Sequence, residues 1–417
     1  MKKSTHDPET RNSSPASFLP YGRQAVDEED IAAVLETLRG DWLTQGPEVD
    51  AFESALADVV GADHIVSCSS GTAALHLAIM AAGIGPNMQV VVPANTFLAT
   101  ANMARIAGAE IVFADVDPET GLMTAEYAAA AIEGAANNGI SAILPVHIAG
   151  QCEAPGVLQE LADAHNLTVI EDACHALGTT YDTKDEMHRV GSCAHSAMAT
   201  FSFHPVKTIA MGEGGAVATN DDELAQRMRD ARNHGMIRDA ERFVDAALGK
   251  DENGSPRRWY YEMHEPGFNY RASSLHCALG RSQLAKLNRF VARRRELAEI
   301  YDRLLAPLGP AVQPPMRAAG CEPAWHLYIA RFDFDALGTT RNDLMNALFE
   351  AGIGTQVHYI PVPWQPYYRA RYGMASLPGA AAYYESSLSL PLYPTMHDAD
   401  VERVVATIAS LAGLARI

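Results

Sequence analysis

Lysine is scarce in this 417-residue chain: six occur, against twenty-six arginines. Basic residues as a class are also outnumbered, 32 to 51, which leaves a formal net charge of −19. A surface of that sign repels a phosphate backbone, so nucleic acid is excluded as a general partner, although a local positive pocket could still take a nucleotide-bearing small molecule. Cysteine is sparse and scattered. Cys68, Cys152, Cys174, Cys193, Cys277 and Cys321 show no CxxC spacing, which argues against a zinc site or a disulfide framework and fits a reducing cytoplasm. Long apolar runs are missing as well: none approaches the roughly 20 residues that span a bilayer, so no membrane partner is expected. The first seventeen residues, MKKSTHDPETRNSSPAS, put no apolar stretch behind their two lysines. They read as a disordered tail, not as a signal peptide. No internal repeat is visible.

What is present suits a large soluble core. The composition is 48% hydrophobic and 20% charged, and the length predicts two domains. Asp27 is placed to cap a helix in which Ile31, Val34, Leu35 and Leu38 recur at helical spacing and Gly40 follows the end. Strand-like runs occupy His64–Cys68, Val90–Val92, Ile111–Ala114, Ala142–Val146 and Leu167–Ile170, with helical or turn-rich stretches between them. This alternation predicts an α/β fold with a mostly parallel sheet covered on both faces. From about Leu284 the texture changes to an Arg-rich helix, a Pro-rich connector over Pro307–Pro323, and a smaller region with strand candidates such as HLYIARFDF. The expected division is a tail over 1–17, a large domain over 18–284 and a small C-terminal α+β domain over 285–417.

Lys207 stands apart from the other lysines. Lys2 and Lys3 lie in the polar tail, and Lys184, Lys250 and Lys286 lie in polar or amphipathic surroundings. Lys207 sits in ATFSFHPVKTIAMGEGGAVATN, an apolar run with no other basic residue. Burial lowers the pKa of an amine and frees it for Schiff-base chemistry. Three further pieces complete a constellation. Ser70-Gly71-Thr72 lies where a strand meets a helix; a phosphate can settle on the free N–H groups there, although the same triplet serves as a plain helix cap. Asp172 ends the apolar LTVIED strand, where ligands of open α/β sheets gather. An acid at that point can keep the ring nitrogen of a pyridine cofactor protonated, and it can equally cap the next turn. Ser202 stands five residues before Lys207, in reach of a phosphate. Phe97, in VPANTFLAT, is either core or a ring that stacks on a cofactor face.

Together these residues resemble the fold-type-I pyridoxal-phosphate enzymes, and among them the DegT/DnrJ/EryC1/StrS sugar aminotransferase family. The matching segments run in order from about Pro20 to the C-terminus: PYGRQAVDEEDIAAV, DWLTQGPEVDAFE, SSGTAALHLA, VPANTFLATANM, PVHIAGQ, EDACHALG, SFHPVKTIAMGEGG and GFNYRASSLHCALGRSQL. The resemblance implies that Lys207 carries pyridoxal 5'-phosphate covalently and that Asp172 pairs with its ring nitrogen. Ser70, Gly71, Thr72 and Ser202 would surround its phosphate, and His175 would lie near the ring hydroxyl. Asn269, in GFNYR, would reach the phosphate in a neighbouring subunit, so a homodimer with a shared active site is implied. From residue type alone Asn269 reads as a turn-former.

His175, the HPVK stretch and the segment GIGTQVHYIPVPWQPYYRARYG resemble the branch that forms UDP-4-amino-4,6-dideoxy-N-acetyl-β-L-altrosamine for pseudaminic acid. The implied reaction moves the amine of L-glutamate to C4 of a UDP-linked 4-keto sugar. The aromatic PVPWQPYY and the polar ERFVDAALGKDENGSPRR depart from that branch. A transaminase for a perosamine- or bacillosamine-type sugar and a non-catalytic scaffold remain as alternatives. A C3 dehydratase is disfavoured because Lys207 is intact. His147, His204, His358, Arg23 and Arg271 are weaker candidates, each equally readable as a structural group.

Overall fold

The computed structural model describes residues 18–135, 139–183 and 186–413. The expected tail over 1–17, and Lys184, lie outside the described residues. Helix α1 (Glu28–Arg39) forms as its caps predict. The Asp27 carboxylate accepts the N–H groups of Glu29 and Asp30 at 3.2 and 3.3 Å, and the Asp30 carboxylate accepts the Asp27 N–H at 3.0 Å. Its buried anchor, however, is polar. Asp30 is fully buried and accepts bonds from Ser282 and Gln283 at 2.6 Å each, with the Lys286 ammonium 2.9 Å away. The apolar residues Ile31, Leu35 and Leu38 face outward instead. Helix α2 (Pro47–Val60) follows. It starts on proline, whose missing N–H is no loss at a first helical position, and buries Phe52, Leu56 and Val60.

Seven strands make the central sheet: β1 (His64–Cys68), β2 (Gln89–Pro93), β3 (Glu110–Ala114), β4 (Ile140–Ile143), β5 (Thr168–Asp172), β6 (Met198–Ser202) and β7 (Gly215–Thr219). Their order is β1-β7-β6-β5-β4-β2-β3. All run parallel except β7, which is antiparallel to both neighbours, so the sheet is mostly parallel and mixed. The fifth run extends two residues beyond Ile170, and this makes Asp172 the last residue of a strand. The fourth ends at Ile143, short of the expected Val146. Helix α3 (Gly71–Ala81) is buried almost all round, with Leu75, Leu77, Ala78 and Ile79 in a core shared with Val90 and Val92 of β2. Helices on both faces close the layer, so the strands read as continuous apolar runs.

The helix Leu287–Leu305 leads into a three-stranded sheet of Val312–Gln313, Tyr328–Phe332 and Ser387–Leu390. Tyr301 and Tyr328 stack at 4.5 Å in its core, with the helices Arg341–Glu350 and Asp398–Leu411 outside. Chain crosses between the two cores in both directions. Leu19 packs into the small-domain core beside Ile353, and Val362 and Tyr368 pack back into the core of α3. This exchange seats the site residues from 326 to 359 against the sheet. Among the described residues no helix is long and apolar enough to cross a membrane.

Candidate active site

Parallel strands place their carboxyl ends on one edge, and the expected residues meet there. Asp172 ends β5, Ser202 ends β6, Ser70 follows β1, and Phe97 stands four residues after β2. A cavity of about 580 Å³ opens at this edge, lined by Ser70, Gly71, Thr72, Phe97, Asp172, His175, Ser202 and Lys207. Lys207 follows a turn in which its N–H donates to the His204 carbonyl at 2.8 Å. Its side chain is partly exposed, through the cavity it lines. The surrounding protein lowers its amine pKa by burial, against the opposing pull of Cys174 and Asp172.

Asp172 is itself buried and held on both oxygens. Thr100 Oγ1 donates to Oδ2 at 2.7 Å, and the Cys174 N–H donates to Oδ1 at 3.2 Å. Thr100 in turn pairs with the Thr96 hydroxyl at 2.8 Å. Ser70 caps α3, its Oγ accepting the Ala73 N–H at 3.1 Å. The amides of Gly71 and Thr72, at the first two helical positions, have no carbonyl a turn behind them to bond. A Cβ on Gly71 would lie 2.7 Å from Ser202 Cβ and 3.0 Å from Ser202 Oγ. Only glycine lets the serine hydroxyl and the helix start share one cradle. Gly215 is needed for a related reason, since a Cβ there would lie 2.3 Å from the Ser70 carbonyl oxygen.

Phe97 is 54% exposed, so it is a cavity-mouth ring and not core; Tyr359 lies 5.8 Å away by ring centroid. His175 is buried, with Nε2 3.3 Å from the Tyr359 hydroxyl and its ring 4.3 Å from that of His326. Burial holds His175 and His326 well below the usual histidine range and brings His358 down to about 3, with the Lys207 charge adding to each. All three imidazoles are therefore neutral at pH 7. Among the described residues, His175 Nδ1 and His326 Nδ1 are buried without a protein partner.

Other candidates lie elsewhere. Asn269 is exposed and does not line the cavity. Arg271 donates to Asn233 Oδ1 beside a separate pocket of about 240 Å³. Arg23 is exposed outside the cavity, whereas His204 does line it. His147 is buried against Glu171 at 3.3 Å, and its N–H holds the Asp172 carbonyl at 3.1 Å. Trp364, the aromatic departure, packs on Tyr384 at 5.4 Å and leaves the cavity alone. Tyr21, His326 and Tyr359 line the site without having been singled out in the sequence. His326 and Tyr359 are polar groups inside apolar-looking segments, HLYIARF and HYIPV, and that mismatch was the available signal.

A lysine facing a clamped acid, beside a glycine–serine cradle at a helix start, defines the site of a pyridoxal-phosphate enzyme; the cradle and the orphaned His175 nitrogen fit that cofactor. The chain belongs to the DegT/DnrJ/EryC1/StrS aminotransferase family, which matches residues 24–409. It is an aminotransferase acting on sugars, with pyridoxal 5'-phosphate as cofactor. It is 39% identical over 399 residues to the spore coat polysaccharide biosynthesis protein SpsC of Bacillus subtilis (strain 168), covering 94% of this chain and 97% of that one. Among solved structures it resembles Helicobacter pylori PseC, an aminotransferase involved in the biosynthesis of pseudoaminic acid. The TM-score is 0.83 at 29% identity, over 95% of this chain and all of that one. DesV of S. venezuelae gives 0.81 at 31% identity, over 96% of this chain and 100% of that one.

Proposed function

We propose that this enzyme transfers the amino group of L-glutamate to C4 of a UDP-linked 4-keto-6-deoxy-N-acetylhexosamine, giving UDP-4-amino-4,6-dideoxy-N-acetyl-β-L-altrosamine in a cytoplasmic pathway to pseudaminic acid. The carrying observation is the cavity wall. His175, His326, His358 and Tyr359 line it, and the three imidazoles are uncharged at neutral pH. Neutral donors and acceptors suit the hydroxyl and amide groups of a sugar. The likeness to PseC supports the pathway, as do His175 and the GIGTQVHYIPV segment.

Bound pyridoxal phosphate supplies an aldehyde to carry the amine and a protonated ring to accept electrons. Asp172, fixed by Thr100 and the Cys174 amide, keeps the ring nitrogen protonated. Gly71, Thr72 and Ser202 hold the phosphate. Lys207 Nζ takes the proton from the α-carbon of the donor and, in the return half, gives one to C4 of the sugar on the same face.

Among the described residues that line the cavity, Lys207 is the one cation apart from histidines, and none is arginine. A donor carboxylate and a diphosphate both call for cationic forks such as guanidinium, beyond what the Gln356 amide on the cavity wall offers. We infer that a second copy supplies them, Asn269 reaching across to the cofactor phosphate, so that the active unit is a homodimer. The exposed apolar residues Trp42, Leu43, Leu98 and Phe268 give that contact a surface.

Incubation with L-glutamate and a panel of 4-keto sugar nucleotides, with the product identified by mass spectrometry and NMR, tests the reading. The altrosamine product is expected. The 39% identity to SpsC favours a second reading, a different surface-polysaccharide sugar, and preferential amination of such a substrate would replace the first.

A further inference from the structure

Away from the cavity, two of the six cysteines approach each other across the seam between the domains. Cys152 and Cys321 are 169 residues apart, and both are free thiols. Their sulfurs lie 3.6 Å apart, the Cys152 thiol donating, and the Cys152 N–H also donates to Cys321 Sγ at 3.4 Å. Cys152 is 1% exposed; Cys321 is partly exposed, in the short strand Cys321–Glu322 that pairs with Thr180–Asp182 of the large domain. Cys68 and Cys193, by contrast, donate to backbone carbonyls.

The surrounding bonds hold this seam in register. Gln151 accepts the Ala318 N–H at 2.9 Å and donates to the Met316 carbonyl at 3.1 Å. The Ala149 carbonyl accepts the His326 N–H at 2.9 Å. The two thiols are thus presented to each other by a fixed frame. They are also unequal. Both bonds from Cys152 hold the Cys321 thiol below its usual range, and the His147 charge adds to this. The bond to Cys321, and then burial, push Cys152 up. The thiolate is the nucleophile, so Cys321 is the attacking sulfur and Cys152 the resolving one.

We propose that Cys152 and Cys321 form a reversible redox site in which a peroxide closes a disulfide that clasps the Pro-rich connector of the small domain to the large domain. The Cys321 thiolate attacks one peroxide oxygen, giving a sulfenic acid and hydroxide. Cys152 then attacks the sulfenic sulfur, expelling its oxygen as water, and hydroxide takes up the remaining proton. Two thiols and one hydrogen peroxide give one disulfide and two waters; the sulfurs are oxidised and the peroxide is reduced. A dithiol reverses the step. The covalent loop is long, so the crosslinked chain has fewer unfolded states and melts higher.

The test treats the full-length protein with hydrogen peroxide, caps free thiols with N-ethylmaleimide, and maps peptides without reduction. The expected result is a Cys152–Cys321 peptide pair that dithiothreitol removes, with the other four cysteines alkylated and a higher Tm. In Cys152→Ser the sulfenic acid on Cys321 should persist and be trapped by dimedone, whereas Cys321→Ser should leave Cys152 unlabelled. Retention of all six thiols, a crosslink between other cysteines, dimedone on Cys152 in Cys321→Ser, or an unchanged Tm overturns the proposal.

Discussion

Thr100 shows how much of a site can rest on a residue that never meets the substrate. Its hydroxyl holds one oxygen of buried Asp172 at 2.7 Å, and nothing in the LATANMARI stretch marks it for that task. Thr100→Val keeps the shape and removes the donor, leaving a buried carboxylate oxygen short of a bond. Turnover should fall about tenfold, about 1.4 kcal/mol. The absorbance of bound cofactor should shift in its pH dependence, which a purely structural role would not produce; an unmoved spectrum refutes the role. Lys207→Ala should drop turnover by on the order of 10²-fold or more and leave no cofactor attached after borohydride reduction and denaturation. Retained label would move the attachment elsewhere. In Gly71→Ala the new Cβ meets Ser202 Cβ at 2.7 Å, so the phosphate cradle should open, cofactor affinity should fall by tenfold or more, and the apoprotein should melt lower. Equilibrium titration with pyridoxal phosphate checks it. That Ser70, Thr72, Asp172, Ser202 and Lys207 would share one cavity was legible because each breaks a local rule: polar at the end of an apolar strand, or charged inside an apolar run. Thr100 and Tyr21 break none. They become site residues only when distant strands are brought side by side.

Helix α1 separates what local chemistry dictates from what tertiary structure dictates. Its limits follow from Asp27 and Gly40, because capping is settled within one turn. Its orientation does not follow. Apolar periodicity predicts that Ile31, Leu35 and Leu38 face the core, yet they are 50%, 41% and 51% exposed, and the buried anchor is Asp30 with Lys286. An exposed apolar stripe of this kind suits a subunit contact, and the homodimer proposed above would give it one. On that proposal, Leu35→Glu with Leu38→Glu should convert dimer to monomer in light scattering, leave the helix content unchanged by circular dichroism, and abolish turnover. A double variant that stays dimeric would place the subunit contact on another face. Five of the seven strands were legible to within a few residues because both faces of the sheet are covered, which writes each one as an unbroken apolar run; β6 and β7, inside the Ser- and Gly-marked run around Lys207, were not among the expected strands. The strand order, with β7 reversed between β1 and β6, was not legible, since pairing at long range leaves no mark within any single segment.

At the scale of the whole molecule, the site draws its histidines from the sheet and from the small domain and buries them together, and this couples the stability of the entire fold to pH. Burial is the main cause that lowers His175, His326 and His358, and the Lys207 charge pushes the same way on all three; His326 also feels His175, Arg294 and His358. A histidine depressed in the fold is protonated first in the unfolded chain. Between about 6.5, the unfolded value, and about 3, where His358 titrates in the fold, the unfolded state holds more protons. Stability is then fully present above pH 6.5 and is lost as the pH falls. His358 alone should account for about 2 kcal/mol between pH 6.5 and 5. Asp27 and Glu110, lowered to about 2 by the Lys286 and Arg371 bonds, lose their contribution only at lower pH, so the window above pH 5 reports the imidazoles. Urea midpoints measured at intervals from pH 7.5 to 5 should fall steadily. His358→Gln keeps an amide partner for the Ser389 hydroxyl, which His358 Nδ1 meets at 2.7 Å, and removes one titrating group. Its midpoints should fall less steeply than those of the native protein. Equal slopes would mean that His358 is not what acid attacks, and that the cavity tolerates a charged imidazole beside Lys207.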